Sequence, residues 1–337
     1  MIGQSSYSED TLMSEISNIG VLTSGGDAPG MNAATRATVR TAIANGLRVT
    51  GIIRGYTGLV AGDFEQLQAR SVSNIVQLGG TMLKTSRCEA FLEPEGREQA
   101  AARIADAGID GLIAIGGDGT FRGLRDIYVE HGVSAIGVPG TIDNDIYGTD
   151  LTIGFDTAVN TALESIDKIR DTADSHDRIF FIEVMGRKCG AIALEVGVSG
   201  GAEAVLVPEV PVDLDELSRA IAQGKSQGKT SYIVVVAEGA HEGGAQAVCD
   251  FVSRRVELEG RVSIIGHVQR GGSPTSADRR LASRMGRSAV EALIEGRADI
   301  MVGVRCGKTV HVPLEEATSK KKTVDLDLLT LARIMAT

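Results

Sequence analysis

Residues 18–53 read NIGVLTSGGDAPGMNAATRATVRTAIANGLRVTGII, and this stretch decides the fold. An apolar run at 18–23 predicts a strand, a glycine-rich turn follows it, and a helical pattern occupies 31–45. A second apolar run at 47–53 predicts the next strand. Because an intervening helix lets two strands pair in parallel through a right-handed crossover, the stretch predicts one unit of a doubly wound sheet.

The same alternation of apolar strands and amphipathic helices continues along the chain. Further strands are predicted at 111–115, 134–138, 178–184, 204–206, 232–237 and 261–266. Further helices are predicted at 97–107, 121–130, 153–173, 190–197, 214–223 and 276–294. The pattern predicts an α/β protein with two similar three-layer domains built on mostly parallel sheets, and the chain is expected to change domain near residues 153 and 265.

The composition excludes several classes of protein. Hydrophobic residues make up 43% and charged residues 23% of the 337, which excludes a disordered chain. The net charge of −10 argues against nucleic acid or an anionic membrane as a partner. The four cysteines form no CxxC pair, no apolar run approaches a membrane span, and residues 1–17 do not resemble a signal peptide. We therefore expect a cytoplasmic protein with reduced thiols.

Glycine is in excess, at 42 residues, and it gathers after predicted strands. Residues 23–30 (TSGGDAPG) and 116–120 (GGDGT) each follow a strand and precede a helix. Glycines there let backbone N–H groups approach a phosphate, and the helix presents its positive end to it. A tight turn explains 23–30 equally well, whereas a carboxylate between glycines, Asp118, suits a magnesium-bound polyphosphate.

Residues 139–145 (PGTIDND) place two carboxylates, Asp143 and Asp145, two positions apart after another predicted strand. In an extended turn, both side chains project to the same side. One can then act as a general base while the other holds magnesium or orients its partner. A structural Asx turn usually contains one such residue followed by glycine, so it explains this segment poorly.

Basic residues of the second half also lie beside the ends of predicted strands. They are Arg178, Arg187, Arg261, His267 and Arg270. In an acidic protein, arginines beside glycine-rich strand ends suggest bidentate capture of a phosphorylated small molecule. Each alone is more often an ordinary surface residue, so the inference depends on their coincidence.

Five motifs together resemble the bacterial type of ATP-dependent 6-phosphofructokinase. They are TSGGDAPG at 23–30, GGDGT at 116–120, PGTIDND at 139–145, MGR at 185–187 and GHVQRGGSP at 266–274. GGDGT also occurs in other kinases, but PGTIDND together with GHVQRGGSP is specific. The resemblance implies that the γ-phosphoryl group of ATP is transferred to the 1-hydroxyl of fructose 6-phosphate. The products would be fructose 1,6-bisphosphate and ADP, in the committed step of glycolysis.

The resemblance also implies roles for individual residues. Asp143 would be the general base, Asp118 and Asp145 would handle Mg²⁺, and Arg187 would stabilise the charge of the transferred group. The ATP site matches Gly26, Tyr56, Arg87, Cys88, Gly117, Asp118, Gly119 and Thr120. The sugar-phosphate site matches Thr141, Ile142, Asp143, Arg178, Met185, Gly186, Arg187, Glu238, Arg261, His267, Val268, Gln269 and Arg270. Tyr56 is expected to stack on adenine.

Two domains with a cleft between them follow from the same resemblance. Residues 1–153 with 266–316 would bind ATP, residues 154–265 with 317–337 would bind the sugar phosphate, and the active site would lie between them. Residues 1–17 lie outside the family pattern, and we have no functional interpretation for them.

The resemblance further implies a homotetramer with shared sites. Arg178 and Arg261 would act in the active site of a neighbouring subunit. An effector site for ADP or phosphoenolpyruvate matches Arg36, Arg40, Arg170, Glu203 and Lys229. One basic position of that pattern is Ala69 here, which leaves the strength and identity of the response open.

Two glycines bear on the phosphoryl donor. Pyrophosphate-dependent relatives carry an Asp and a Lys where this chain has Gly119 and Gly140, so the missing side-chain volume favours ATP over pyrophosphate.

A catalytically silent nucleotide sensor is disfavoured because Asp118 and Asp143 are both present. A nucleotide-binding dehydrogenase is disfavoured because 23–30 lacks the GxGxxG spacing.

A short basic run, Lys320 to Lys322, lies near the C-terminus. We interpret it as the solvated start of a helix rather than as a binding site.

Overall fold

Two β-sheets with helices packed against them organise the chain in a computed structural model, which describes residues 16–336. In chain order the strands are β1 (Asn18–Thr23), β2 (Arg48–Ile52), β3 (Phe64–Leu67), β4 (Gly111–Gly116), β5 (Ala135–Pro139), β6 (Ile179–Val184), β7 (Ala204–Leu206), β8 (Tyr232–Ala237), β9 (Gly260–Ile264), β10 (Ile300–Arg305) and β11 (Lys308–Pro313). The α-helices are α1 (Met31–Ala44), α2 (Gly55–Ala61), α3 (Pro94–Asp106), α4 (Asp118–His131), α5 (Phe155–His176), α6 (Ala191–Ser199), α7 (Leu214–Ser226), α8 (Gly244–Val256), α9 (Ser276–Ile294), α10 (Leu314–Ser319) and α11 (Asp327–Met335). Short 3₁₀ helices occupy Ala90–Leu92 and Gly266–Arg270.

The larger sheet has seven strands in the order β11-β10-β5-β4-β1-β2-β3. Its central strands pair in parallel, from β2 through β1 and β4 to β5. β1 and β4 are buried along their whole length, which is why both appear in the sequence as continuous apolar runs. Antiparallel strands β3 and β11 form the two edges. The sequence did not predict these edges, because they are partly exposed and carry no apolar run.

The smaller sheet has four strands in the order β7-β8-β6-β9, and all of them pair in parallel. Its middle strand β8 is fully buried, whereas the edge strand β9 is partly exposed. The predicted fold class, α/β with two mostly parallel sheets, is confirmed. The two sheets differ in size, however, and the domain limits drawn from the sequence stay a prediction.

The predicted helices agree with the structure to within a few residues, but four helices were missed, α2, α8, α10 and α11. The strand β10 was missed as well, although it is an apolar and largely buried run. The interpretation of Lys320 to Lys322 was wrong: α10 ends at Ser319, so the basic run follows a helix instead of starting one. Lys321 forms an antiparallel bridge with Ile146, and Lys322 is partly buried. No helix within residues 16–336 is long and apolar enough to cross a membrane.

The long helix α5 links the two sheets, and a buried carboxylate fixes its start. Asp278, on α9, is 1% exposed and accepts hydrogen bonds from the backbone N–H of Gly154 (2.9 Å) and of Thr157 (2.8 Å). It also accepts one from the Thr157 hydroxyl at 2.5 Å. Because the first N–H groups of a helix have no partner within the helix, Asp278 supplies the cap that α5 lacks locally.

Replacing Asp278 with alanine is expected to destabilise the fold by about 3 kcal/mol, because two buried N–H groups and a hydroxyl lose their acceptor. Urea unfolding followed by circular dichroism would measure the loss. Asp167→Ala, at an exposed position of the same helix α5, is the control and should change the free energy of unfolding by less than about 0.5 kcal/mol. Equal effects of the two substitutions would contradict the capping role.

Candidate active site

A cleft of about 490 Å³ opens at the carboxyl ends of the central strands. Its walls come from the turns after β1 and β4, the loop after β5, and two arginines of the second half, Arg187 and Arg270. Open α/β sheets bind ligands at this edge, because the loops that follow parallel strands all emerge there. Three of the predicted motifs therefore meet in one place.

The first two glycine turns are packed directly against each other. The Thr120 hydroxyl donates to the backbone oxygen of Ser24 at 3.1 Å, and the N–H of Ser24 donates to the carbonyl of Ile115 at 3.0 Å. A side chain at Gly116 would collide with both the Ser24 carbonyl and the Thr120 hydroxyl. Glycine is needed here for close approach, and it leaves the N-terminus of α4 facing the cleft, where it favours an anion.

Arg270 connects the first turn to the second half of the chain. Its guanidinium donates to the backbone oxygen of Asp27 at 3.1 Å. A Cβ at Gly26 would stand 2.5 Å from the same guanidinium, so only glycine admits the arginine at this distance. Arg270 thus lies between the predicted ATP and sugar-phosphate residues and lines the cleft beside both.

Asp143 is buried at the bottom of the cleft with one oxygen unpaired. Its residue is 4% exposed, and Oδ1 has no hydrogen-bond partner among the described residues. Oδ2 lies 3.8 Å from Nε of Arg187. Burial, assisted by the neighbouring Asp145, raises the pKa of Asp143 although Arg187 and Arg270 oppose the shift. A carboxylate with a raised pKa and a free lone pair is suited to accept a proton.

Asn144 turns the loop so that both aspartates line the cleft. Its φ of 52° is in the left-handed region, which asparagine tolerates better than most residues. The side chain points away from the cleft, where Oδ1 accepts from the N–H of Thr152 at 3.0 Å and Nδ2 donates to the carbonyl of Asp150 at 3.3 Å. The two aspartates project as predicted, but a left-handed turn, and not an extended one, directs them.

Asp118 and Asp145 lie near each other at the open side of the cleft. Burial, together with the charge of Asp118, raises the pKa of Asp145, and Asp118 also forms an ion pair with Arg122. Within residues 16–336, no group of three or more His, Cys, Asp or Glu could hold a metal by itself. Mg²⁺ in kinase sites usually takes one or two carboxylates and completes its shell with phosphates and water, so this pair fits it.

The MGR segment after β6 faces the cleft through Arg187. Arg187 has a φ of 54°, and its backbone N–H donates to the carboxylate of Glu238 at 3.1 Å. Gly186, at φ 144°, permits the turn that brings the arginine toward Asp143. This hydrogen bond joins the turn after β6 to the residue after β8 and holds Glu238 beside Arg187.

Several residues of the predicted sugar-phosphate set have structural partners instead. Gln269 is fully buried, accepts from the N–H of Met185 at 2.9 Å and donates to the carbonyl of Ala158 at 3.3 Å. Ile142 is fully buried in the core. His267 and Val268 are exposed beside Gln269. Both ends of the Gln269 amide are therefore used to hold backbone.

Arg178 and Arg261 lie away from the cleft within one chain. Arg178 precedes β6 and Arg261 is the second residue of β9, so both stand at the amino ends of their strands, opposite Arg187. Both form ion pairs with Glu259, at 2.7 Å for Arg178. Their expected role in a neighbouring subunit stays a prediction.

The predicted nucleotide residues gather on the other side of the cleft. Arg87 and Cys88 line it together with Gly117 to Thr120. Tyr56 is 7% exposed, donates from its hydroxyl to the backbone oxygen of Thr120 at 2.5 Å, and stacks on Phe91 with ring centroids 4.0 Å apart. Phe91 covers one face of the Tyr56 ring, and Tyr56 lines this wall of the cleft. Stacking of Tyr56 on adenine stays a prediction.

Three further lining residues lie outside the predicted motifs and site residues. They are Ser86, Glu89 and Leu92. Leu92 is 74% exposed and gives this wall an apolar surface. The proximity of Ser86 and Glu89 to the Arg87–Cys88 pair in sequence was the available signal.

The two glycines of the donor argument differ in their surroundings. A Cβ at Gly119 would have no atom of the described residues within 4 Å, so a side chain there would extend into open space at the cleft. A Cβ at Gly140 would stand 3.0 Å from Ile115 and 3.2 Å from Met31, both buried. Core packing therefore also favours glycine at 140, and the preference for ATP over pyrophosphate depends mainly on Gly119.

Part of the predicted effector set forms a cluster outside the cleft. Lys229 pairs with Glu203 at 2.9 Å, and Arg170 lies 4.0 Å from the same carboxylate. Arg36 and Arg40 lie on α1, where Arg36 is partly and Arg40 fully exposed. The structure brings together three of the five residues.

Comparison with known proteins gives a consistent result. The family model described as phosphofructokinase matches residues 18–293. ATP-dependent 6-phosphofructokinase 1 of Thermus thermophilus is 56% identical over 318 residues, covering 94% of this chain and 99% of that protein. The ATP-dependent 6-phosphofructokinase of Cytophaga hutchinsonii is 53% identical over 315 residues, covering 93% and 96%.

Solved structures agree with the fold. Phosphofructokinase from Saccharomyces cerevisiae superposes with a TM-score of 0.85 at 37% identity over 90% of this chain, which spans only 45% of the yeast chain. A pyrophosphate-dependent phosphofructokinase from Marinobacter aquaeolei has a TM-score of 0.82 at 22% identity, over 93% of this chain and 86% of that one, and shows the fold alone. On these identities and the matched motifs, the chain is a kinase that belongs to the phosphofructokinase family.

Proposed function

We propose that this protein transfers the γ-phosphoryl group of Mg-ATP to the 1-hydroxyl of fructose 6-phosphate, with Asp143 as the general base. One observation carries the proposal: the buried Asp143 has an unpaired oxygen in a cleft lined by glycine turns on one side and arginines on the other. The names of the 50–56% identical relatives support ATP as the donor. The products are fructose 1,6-bisphosphate and ADP, and the reaction is the committed step of glycolysis.

Asp143 accepts the proton of the 1-hydroxyl group as the hydroxyl oxygen attacks the γ-phosphorus of ATP and ADP leaves. A raised pKa makes the carboxylate a better proton acceptor, while the charges of Arg187 and Arg270 favour its ionised form. Arg187 also faces the charge that spreads over the transferred group. The N-terminus of α4 binds the nucleotide phosphates through its free N–H groups.

Asp118 and Asp145 would hold Mg²⁺ beside the phosphates of ATP. When bound, the ion neutralises charge on the phosphate oxygens and so favours attack by the hydroxyl. Asp145 lies two residues after Asp143, so one loop fixes the positions of both the base and a carboxylate that would hold the ion.

Sugar-phosphate recognition falls to the second half of the chain. Arg187, Glu238, His267 and Arg270 bind the sugar phosphate on that side of the cleft. Arg178 and Arg261 act in the cleft of a neighbouring subunit, in a homotetramer. Residues 1–153 with 266–316 form the ATP domain, and residues 154–265 with 317–337 form the sugar-phosphate domain. The first and last of these ranges include residues outside those described.

An effector, ADP or phosphoenolpyruvate, binds at Arg36, Arg40, Arg170, Glu203 and Lys229. The cluster of Arg170, Glu203 and Lys229 supports a site for an anion, because two cations share one carboxylate. Ala69 removes one positive charge from the pattern.

Asp143→Ser should lower kcat by about 10²-fold or more, while the KM for fructose 6-phosphate changes little, because only proton transfer is lost. A coupled assay for fructose 1,6-bisphosphate would measure both constants. Asp167→Ser, on the exposed side of α5, is the control and should keep full activity. Near-normal turnover of the Asp143 variant would exclude this residue as the base.

The pH dependence of kcat follows from the raised pKa of Asp143. The base must be ionised, so kcat at saturating substrates should fall as the pH drops through this pKa, with a midpoint above the ordinary aspartate value of about 4. The residual activity of Asp143→Ser should lack this midpoint. A midpoint at or below the ordinary value would contradict the assignment.

Gly119→Asp should raise the KM for ATP by about tenfold, because a carboxylate would project into the open space at the nucleotide side of the cleft. Steady-state kinetics with ATP and with pyrophosphate would measure the change. Val129→Asp, at an exposed position of the same helix α4, is a control for adding a carboxylate away from the cleft. An unchanged KM for ATP would refute the donor argument.

A further inference from the structure

The segment that follows α10 crosses behind the loop that carries the two cleft aspartates. Lys321 pairs with Ile146 as an antiparallel bridge, so the backbone of this segment is joined to the loop. The chain then continues to α11, which packs against α6 and β7 of the second half. A single short segment therefore touches both the catalytic loop and the sheet on the far side of the cleft.

Lys322 holds this loop by two hydrogen bonds. Its ammonium donates to Oδ1 of Asn144 at 2.9 Å and to the carbonyl of Asp150 at 2.7 Å. Asn144 and Asp150 are already joined by the Asn144 amide at 3.3 Å. Lys322 thus closes a ring of contacts that connects the left-handed turn to the far end of the same loop.

The left-handed turn needs such support. A non-glycine residue with a φ near 52° costs of order 1 kcal/mol or more and persists only when its surroundings hold it. Without Lys322, the Asn144 oxygen would keep only its bonds to Thr152. The direction in which Asp143 and Asp145 point depends on this turn, because they are its immediate neighbours.

We propose that Lys322 is a positioning residue of the reaction, which clamps Asn144 and Asp150 and so fixes Asp143 and Asp145 in the cleft. The proposal rests on the proposed function for its catalytic consequence. Lys322 touches neither substrate, and its effect passes through the loop.

The charges around Lys322 agree with this role. Burial lowers the pKa of Lys322 to about 8, although the carboxylates of Asp150 and Asp145 favour the charged amine. The amine therefore remains mostly protonated at neutral pH and has three N–H donors, of which two are used. Its charge also opposes the rise in the pKa of Asp145.

Lys322→Met tests the proposal, with Lys321→Met as the matched control, since the side chain of Lys321 is exposed and only its backbone is bonded to the loop. Lys322→Met should lower kcat by about 10- to 100-fold, with KM values for ATP and fructose 6-phosphate within about twofold, because misplaced groups act on chemistry more than on binding. Lys321→Met should leave both constants unchanged. Lys322→Arg, which keeps the charge and the donors, should recover part of kcat.

Hydrogen exchange of residues 141–152 supplies a readout independent of activity. Lys322→Met should speed exchange in this segment, and Lys321→Met should not. If Lys322→Met does not fold, Lys322→Gln, with a shorter neutral donor, is tested in its place. It should also lower kcat and speed exchange of residues 141–152, both to a smaller extent. Unchanged exchange and unchanged kcat would overturn the clamp. Faster exchange in a protein whose wild type does not use fructose 6-phosphate would uphold the clamp and refute the proposed function.

Discussion

The burial of the Asp143 carboxylate is the constraint on which the site depends. An acceptor that is buried without a partner costs about 1–3 kcal/mol, and the left-handed turn at Asn144 adds to that cost. The loop can hold this conformation only because its other polar groups are satisfied, by Thr152, Asp150 and Lys322. The unfavourable terms thus lie at two neighbouring residues, Asp143 and Asn144, while the hydrogen bonds of the surrounding loop offset them.

Close packing of strand ends brings the other groups to this carboxylate. The N–H of Gly140 donates to the carbonyl of Gly116, the last residue of β4, at 2.9 Å, which extends the sheet pairing one residue beyond β5. The N–H of Ser24 does the same toward Ile115. Because the sheet continues into its loops, the two glycine turns and the aspartate loop keep a fixed spacing, and the glycines are required where backbones approach most closely.

Most of the buried strands and the motifs that follow them could be predicted from the sequence. Contacts between side chains that are distant in the chain could not. β1 and β4 appear as apolar runs because both faces are covered, whereas β3 and β11 at the edges leave no such pattern. The GGDGT and PGTIDND motifs were found because they follow strands whose ends converge. Lys322 was misinterpreted, since its acceptors precede it by 178 and 172 residues and no local pattern marks them.

Motif membership also does not say which side chains face a ligand. Gln269 and Arg270 are neighbours in the GHVQRGGSP motif, yet Gln269 is fully buried between two backbone segments while Arg270 lines the cleft. A side chain at Gly140 would make tight contacts with the buried residues Ile115 and Met31. These distinctions depend on packing between segments and require coordinates.

The chain crosses between the two sheets three times, and a polar contact anchors each crossing. Asp278 holds the start of α5, Arg270 holds the turn before α9 to Asp27, and Lys322 holds the last crossing to the aspartate loop. Two of these three anchors end on loops that line the cleft. A rotation of one sheet against the other would therefore pull on the turn at Gly26 and on the loop of Asp143. The relative placement of the two sheets and the geometry of the cleft are therefore coupled, so that a change in one changes the other.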